Sequence, residues 1–237
     1  MNSVKLGDRP KVGGRFAPEI APVQYLTMRL DHISYACTSA ELADVVQRIG
    51  GDLGAAFTDG GRHPGFGTRN FILPLAGGIY MEVVTALDHP AAEKAPFGRA
   101  VARCANDGGG GLGWVVAVDD IGPIESRIGR ASIEGKRVRP DGTELHWRQL
   151  GVLDVLDDPQ LPFFVSWESG PQCHPSNGGT VMVQKIEICG SREDICNYLG
   201  EAPENPLDGV EIEWVDADEP GIVAVWFGTA HGAVRID

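Results

Sequence analysis

The chain has 237 residues, 43% of them hydrophobic and 22% charged, with a formal net charge of −13; this suits a folded protein with a sizeable core, in one large domain or two to three small ones. The acidic balance excludes non-specific nucleic-acid binding, which needs a basic face, and no run approaches the roughly 18 apolar residues of a membrane-spanning helix. The five cysteines (Cys37, Cys104, Cys173, Cys189 and Cys196) form no close-spaced pair, so they read as reduced thiols of a cytoplasmic protein, not as a disulfide framework or zinc knuckle.

Lys5, Arg9, Lys11 and Arg15 lie among Gly and Pro without periodicity. Residues 1–27 are therefore expected to be a poorly ordered tail, either a flexible arm or an upstream extension of a frame that starts at Met28. From there the pattern is regular. Residues 29–36 alternate as a strand with His32 in the middle. A helix follows, with Leu42, Val45, Val46 and Ile49 at helical spacing, Thr38 or Ser39 as its cap, and Gly50-Gly51 at its end. Residues 60–70, Gly-Gly-Arg-His-Pro-Gly-Phe-Gly-Thr-Arg-Asn, set Arg62, His63, Arg69 and Asn70 among glycines. A plain corner needs Gly, Pro, Asn or Asp but not Arg-His beside them, so this loop is a candidate border of a small-molecule site. Residues 68–74 and 79–85 read as two strands joined by a Gly77-Gly78 turn.

Residues 90–106 read as one connecting helix, and Asp107 with four glycines as a linker. A similar unit then begins again. Residues 112–118 form an apolar strand, Asp119-Asp120 precede a helix, and residues 136–139, 143–150 and 161–168 are three strands. Alternation in the middle one puts Trp147 with Thr143 and Leu145, and this set is expected to face inward. A third, shorter copy follows, its helix opened by a Ser191-x-x-Asp194 capping pattern. From Thr180 onward it has three basic residues against twelve acidic ones, which reads as a solvated face. The resulting division is a tail (1–27), a first βαβββ unit (28–88), a connecting helix and linker (89–111), a second unit (112–176) and a third, acidic βαβββ-like unit (180–237). There is no G-x-S-x-G, phosphate-binding loop or dinucleotide fingerprint.

The repeated βαβββ order resembles the vicinal-oxygen-chelate superfamily, and within it the glyoxalase-like domain proteins. The residues that carry the resemblance are Leu30-Asp-His-Ile-Ser-Tyr-Ala36, the loop from Gly61 to Asn70, Tyr80-Met-Glu-Val-Val84, Arg139-Pro-Asp-Gly-Thr-Glu-Leu-His-Trp147, Leu161-Pro-Phe-Phe-Val-Ser-Trp167 and His174-Pro175. The resemblance implies an α+β fold in which curved mixed sheets of two units enclose a cleft. It also implies a divalent metal held by one residue from the first and one from the last strand of each unit. His32 and Glu82 match the two ligand positions of unit one. In unit two Trp114 and Ser166 stand at the matching positions, and in unit three Lys185 and Arg235. Two of four ligands are thus present. One reading is a weakly held Zn, Ni, Mn or Fe ion, its set completed by His63, His146 or His174. The other is no tightly bound metal, with His32 and Glu82 as an acid–base couple.

The expected function is that of a glyoxalase-like enzyme of lyase, isomerase or dioxygenase type, acting on a small carbonyl, enol or diol compound. His32 and Glu82 would be catalytic. Arg62, His63 and Asn70 would orient the substrate, and Trp114, Trp147, Phe164 and Ser166 would complete the wall. The alternative is a metal-free binding protein of the bleomycin-resistance kind. The expected partners are a small molecule and, because three units leave one unpaired, a second copy of the chain; neither nucleic acid nor membrane is expected.

Overall fold

A computed structural model of the protein describes residues 28–139, 142–200 and 206–237. The expected tail and the Pro140-Asp141 turn lie outside the described residues.

The first unit comprises β1 (Arg29–Ala36), α1 (Leu42–Leu53), β2 (Thr58–His63), β3 (Thr68–Pro74) and β4 (Tyr80–Ala86). The Gly-rich stretch is therefore the ends of two strands and the turn between them. Two short helices follow, α2 (Pro90–Lys94) and α3 (Pro96–Asn106). The expected single helix is broken at Ala95, which is extended (φ −76°, ψ 134°) because a residue before proline is driven out of the helical region. The second unit has β5 (Gly110–Ala117), α4 (Gly122–Ile128), β6 (Ile133–Val138), β7 (Glu144–Leu150), α5 (Val152–Asp157) and β8 (Phe163–Trp167). Thr38 and Ser39 do not cap α1 by accepting from its backbone; the Glu41 carboxylate instead accepts from Thr38 N and Oγ1.

The two units share one eight-stranded sheet of order β2-β3-β4-β1-β5-β8-β7-β6. In each unit the first strand pairs in parallel with the last, β1 with β4 and β5 with β8. The units meet where β1 and β5 pair antiparallel. The sheet curves so that residues from nearly every strand line one cavity. This is the α+β arrangement of paired βαβββ units that the repeat predicts.

The last segment contains β9 (Met182–Cys189), α6 (Arg192–Leu199), β10 (Glu211–Val215), β11 (Gly221–Thr229) and β12 (Gly232–Ile236). Ser191 Oγ accepts from Asp194 N at the start of α6, as its sequence predicts. The element order repeats that of the other units, but the pairing differs. Here β9 lies beside β10 in parallel and β11 antiparallel, with β12 at the edge. Its apolar face, including Ile186, Ile188, Val225 and Phe227, covers the back of the large sheet, where Ile33, Trp114, Val116 and Phe164 are buried. Each such fully buried side chain contributes about 1.5–3 kcal/mol, before the entropic cost of ordering it. Its outward cations are paired, Arg235 with Glu187 at 2.8 Å and Lys185 with Glu213.

Candidate active site

A β-bulge in β1 builds the centre of the cavity. The β1–β5 register runs Leu30↔Val116 and then His32↔Val115, so Asp31 is an extra residue on β1. A bulge breaks strict alternation, and here both Asp31 and His32 are buried. The Asp31 carboxylate, 2% exposed, gathers three rings. Oδ1 lies 2.6 Å from His32 Nδ1, and Oδ2 lies 2.8 Å from Trp167 Nε1 and 3.1 Å from His174 Nε2. Burial alone would raise the Asp31 pKa. The hydrogen bonds and charges of His174 and His32 outweigh it and hold the carboxyl well below the usual carboxylate range. With Nδ1 held by Asp31, His32 turns Nε2 toward Glu82, 4.0 Å from its Oε1. The imidazole is also stacked on Tyr80 at 4.4 Å between ring centroids.

Glu82 is the other half of the couple. Register places Ser34 beside it on β1, and Ser34 Oγ donates to Oε1 at 2.6 Å. Asn70 Nδ2 on β3 donates to Oε2, also at 2.6 Å. Because a carboxylate needs donors, this contact orients the Asn70 amide. Asn70 fits only because residue 60 is glycine: a Cβ there would stand 2.0 Å from Asn70 Oδ1. A second bulge lies at this point. The β2–β3 register steps from Asp59↔Phe71 to Gly61↔Asn70, and Gly61 has φ +93°. The extra residue turns His63 to the cavity and Arg62 to solvent. His63 is pushed down to about 4 by burial, with Glu82 opposing the shift and Arg137 adding to it. Its imidazole is therefore neutral at pH 7.

The opposite wall comes from unit two. Phe163, Val165 and Trp167 alternate inward from β8, and Trp147 and Gln149 from β7. Trp147 Nε1 donates to Gln149 Oε1 at 2.9 Å. Trp147 lies across Gly135, where any Cβ would be 2.2 Å from its Cε2. Gly135 of β6 thus does for Trp147 what Gly60 of β2 does for Asn70. Two residues further along β6, Arg137 faces the cavity. Phe97 of α3 and Phe66 of the β2–β3 turn close one side. The enclosed space is about 70 Å³ within a basin of about 570 Å³ open to solvent. On the smaller measure one water needs roughly 10–15 Å³, so the pocket takes a small organic group. Burial pushes the Tyr80 phenol well above its usual range, aided by the negative charges of Asp31 and Glu82, so its hydroxyl keeps its proton.

Of the residues expected at the site, the structure brings His32, Glu82, His63, Asn70 and Trp147 together. Arg62, Trp114, Phe164 and Ser166 lie elsewhere. Arg62 is exposed. Trp114 and Phe164 are both 0% exposed in the core behind the sheet, with Trp114 Nε1 donating to Gln160 O. Ser166 Oγ donates to Asp119 O. The extra residue in β1 sets His32 opposite Val115, not Trp114, and the β8 residues that face the cavity are Phe163, Val165 and Trp167, one position off the expected Phe164 and Ser166. Reading the sequence alone missed Asp31, Tyr80, Arg137 and Gln149. One signal did point to Arg137: the matched glycines of Thr58-Asp-Gly60 and Ile133-Glu-Gly135 align Arg137 with Arg62.

The corrected register also bears on the donors available to a divalent ion. The four positions equivalent to superfamily ligands are His32, Glu82, Val115 and Val165. Two of the four, Val115 and Val165, are apolar and offer no donor atom. Among the described residues no three His, Cys, Asp or Glu side chains converge as ligands. This donor set does not fit a tightly held divalent ion, which calls for three or four protein ligands. His146 pairs with Glu144 on the surface, and His174 is committed to Asp31 and Ser176. Lys185 and Arg235, in the last sheet, face acidic partners.

Among solved structures, the fold is similar to a hypothetical protein from Staphylococcus aureus, at TM-score 0.57 and 13% identity over 89% of this chain and 86% of that one. Weaker likenesses include methylmalonyl-CoA epimerase from Mycobacterium tuberculosis (TM-score 0.40, 14% identity, 61% of this chain and 89% of that one). Another is a Streptomyces coelicolor methylmalonyl-CoA epimerase in complex with 2-nitronate-propionyl-CoA (TM-score 0.39, 18% identity, 61% and 100%). No curated protein matches the sequence. The glyoxalase-like domain family matches residues 30–199, which span both halves of the cavity, the linker between them and the first strand and helix of the last segment. With its paired βαβββ units and its His32–Glu82 cavity, the chain belongs to the glyoxalase-like domain family of the vicinal-oxygen-chelate superfamily.

Proposed function

We propose that this protein is an enzyme that shifts a proton within a small carbonyl or enol compound, with His32 and Glu82 as the acid–base couple and no metal in the step. The observation that carries the reading is their placement. His32 Nε2 and Glu82 Oε1 stand 4.0 Å apart on neighbouring strands, facing one enclosed cavity, and every other polar atom of the two side chains is engaged.

Glu82 takes a proton from the carbon beside a carbonyl. The C–H electron pair becomes a C=C bond, and the carbonyl oxygen gains negative charge. The Tyr80 hydroxyl, neutral and without a hydrogen-bond partner among the described residues, donates to that oxygen. A proton then returns to the adjacent atom of the enolate, directly from Glu82 or by way of His32 Nε2, with Asp31 stabilising the imidazolium in between, and both side chains regain their starting protonation. Because both groups lie on one wall, the proton leaves and returns on the same face. That favours an isomerase-type shift along the molecule over inversion at a single carbon, which needs groups on opposite faces.

The test is proton exchange with solvent. Small α-hydroxy and α-keto compounds that raise the melting temperature are incubated with the protein in D2O and followed by proton NMR. Wild type is expected to wash out the α-proton; His32→Gln and Glu82→Gln are expected to lose this by a factor of 10² or more, the usual size of a general-base contribution. Added Zn, Ni, Mn or Fe is expected to change neither exchange nor melting temperature. A ligand that binds without ever exchanging, with unchanged affinity for Glu82→Gln, would establish the binding-protein reading instead. The ring-rich wall of Phe66, Phe97, Trp147, Phe163 and Trp167 supports that second reading.

A further inference from the structure

We infer that the ligand of this cavity is a small monocarboxylate and that Arg137 is its anchor. This rests on the same cavity as the function proposed above and names the chemical class it receives.

Arg137 is 9% exposed. It makes no hydrogen bond or ion pair with any described residue, and its buried Nε has no acceptor. A guanidinium keeps its charge in a protein, so it cannot escape burial by losing a proton. Buried cations are ordinarily paired, because an unpaired one carries the full cost of desolvation. Glu82 does not supply the partner: it acts on Arg137 only from beyond ion-pair distance, and its two oxygens are taken by Ser34 and Asn70. Arg139, the next cation along the chain, turns away and donates to Cys173 O. The missing acceptor belongs to something that enters the cavity.

The chemistry of that acceptor is constrained. Arg137 is the only arginine or lysine lining the cavity among the described residues, and His63 is neutral. Glu82 and Asp31 lie on the far wall, so a dianion would meet more repulsion than one cation offsets. A planar guanidinium fork matches a carboxylate with two parallel hydrogen bonds. The unpartnered Tyr80 hydroxyl lies close enough to Arg137 to share its field and offers a further donor. The aromatic walls suit the remaining carbon skeleton, and the small enclosed volume suits a short one.

The experiment is calorimetric binding of acetate, 2-hydroxybutyrate, benzoate and phenylacetate, each against its amide, with inorganic phosphate as a comparison. Wild type is expected to bind at least one carboxylate ten times or more tighter than the matching amide and to bind phosphate more weakly. Arg137→Gln is expected to lose that preference, and Arg137→Lys to keep part of it. Equal affinity for acid and amide in the wild type, which needs no variant, would overturn the inference. So would unchanged carboxylate binding by Arg137→Gln, or phosphate held tighter than every carboxylate. Carboxylate binding through Arg137 without proton exchange would leave this inference standing and remove the enzymatic reading. Exchange of an uncharged carbonyl compound, unaffected by Arg137→Gln, would do the reverse.

Discussion

Replacing Asp31 with asparagine tests the architecture of the site most directly. The carboxylate is buried and accepts from His32, Trp167 and His174, tying β1 to β8 and to the loop after it. An asparagine of the same shape has one acceptor oxygen and an NH2 group, so it can no longer accept from all three rings, and a histidine must change tautomer to pair with the NH2. Hydrogen bonds to charged groups contribute about 1.5–3 kcal/mol each, and breaking a buried pair costs about 3–5 kcal/mol. Against this, the substitution removes the desolvation cost of the buried charge, which is the largest influence on Asp31 and opposes its ionisation. The net expectation is about 3 kcal/mol of destabilisation at pH 7, or a melting temperature lower by about 6–12 °C at about 2–4 °C per kcal/mol for a chain of this size. The pH dependence is a second check. The folded pKa of Asp31 lies below its unfolded value, so its contribution is complete above the unfolded carboxylate pKa of about 3.9 and is lost as pH falls further. The gap between wild type and Asp31→Asn in thermal melts should therefore be constant from pH 7 to 5 and narrow toward pH 3. A variant that melts within about 1 °C of wild type at pH 7, or a gap that does not narrow in acid, would refute the three-ring account.

Three further outcomes follow from the same geometry. In NMR titrations His63 should protonate near pH 4. Glu82→Gln should lower that value and Arg137→Gln should raise it, because the carboxylate favours the imidazolium and the guanidinium opposes it. Gly135→Ala places a methyl 2.2 Å from Trp147 Cε2, so the indole must swing into the cavity; overpacking of this kind costs about 1–3 kcal/mol in denaturant melts, and ligand affinity should fall at least about tenfold. Arg137→Met should stabilise the ligand-free protein. The downward shift of the Arg137 pKa has burial as its main cause, against attraction from Glu82, so removing the charge is expected to gain about 1–2 kcal/mol and about 2–8 °C. A fall in melting temperature would count against the unpaired cation.

The fold could be read from the sequence because strand alternation and helical spacing recur in the same order from Arg29 and again from Leu112. The His32–Glu82 couple could be read too, since each residue sits mid-strand in the position where the superfamily places a ligand. The rest of the wall could not be read, for one physical reason repeated twice. A single extra residue in a strand reverses which side chains point inward. Asp31 is such a residue in β1, and pairing proceeds as if it were absent. Aligning the units without it puts Trp114 and Ser166 in the cavity, where the structure puts Val165, with Val115 buried in the cluster beneath it. Gly60 plays the same part in β2, so His63 turns inward and Arg62 does not. Arg137 was hidden by its chemistry: a charged residue in an alternating strand is ordinarily assigned to solvent.

Both of these extra residues fall in unit one; unit two has an extra residue of its own at Leu112 in β5, but β6–β7, β7–β8 and β5–β8 pair without a shift. This asymmetry divides the work of the cavity. In unit one the bulges crowd Asp31, His32 and His63 onto the concave face, to which Ser34, Asn70 and Glu82 add in regular register; that face is dense in proton-transfer groups. In unit two the strands that line the cavity, β6 to β8, pair in regular register and present Phe163, Val165 and Trp167 with Trp147, Gln149 and one cation. Two copies of one ancestral pattern would otherwise carry matching faces, as a four-ligand metal site requires. In the proposed reaction one copy supplies the acid–base groups and the other supplies most of the ligand wall. Conservative changes in unit two, such as Val165→Ile or Trp147→Phe, should accordingly move KM with little change in kcat. Changes at Ser34 or Asn70, whose side chains donate to Glu82, should move kcat. The same split in both directions is what a symmetric, metal-centred site would not produce, because there each half supplies ligands to the reacting centre.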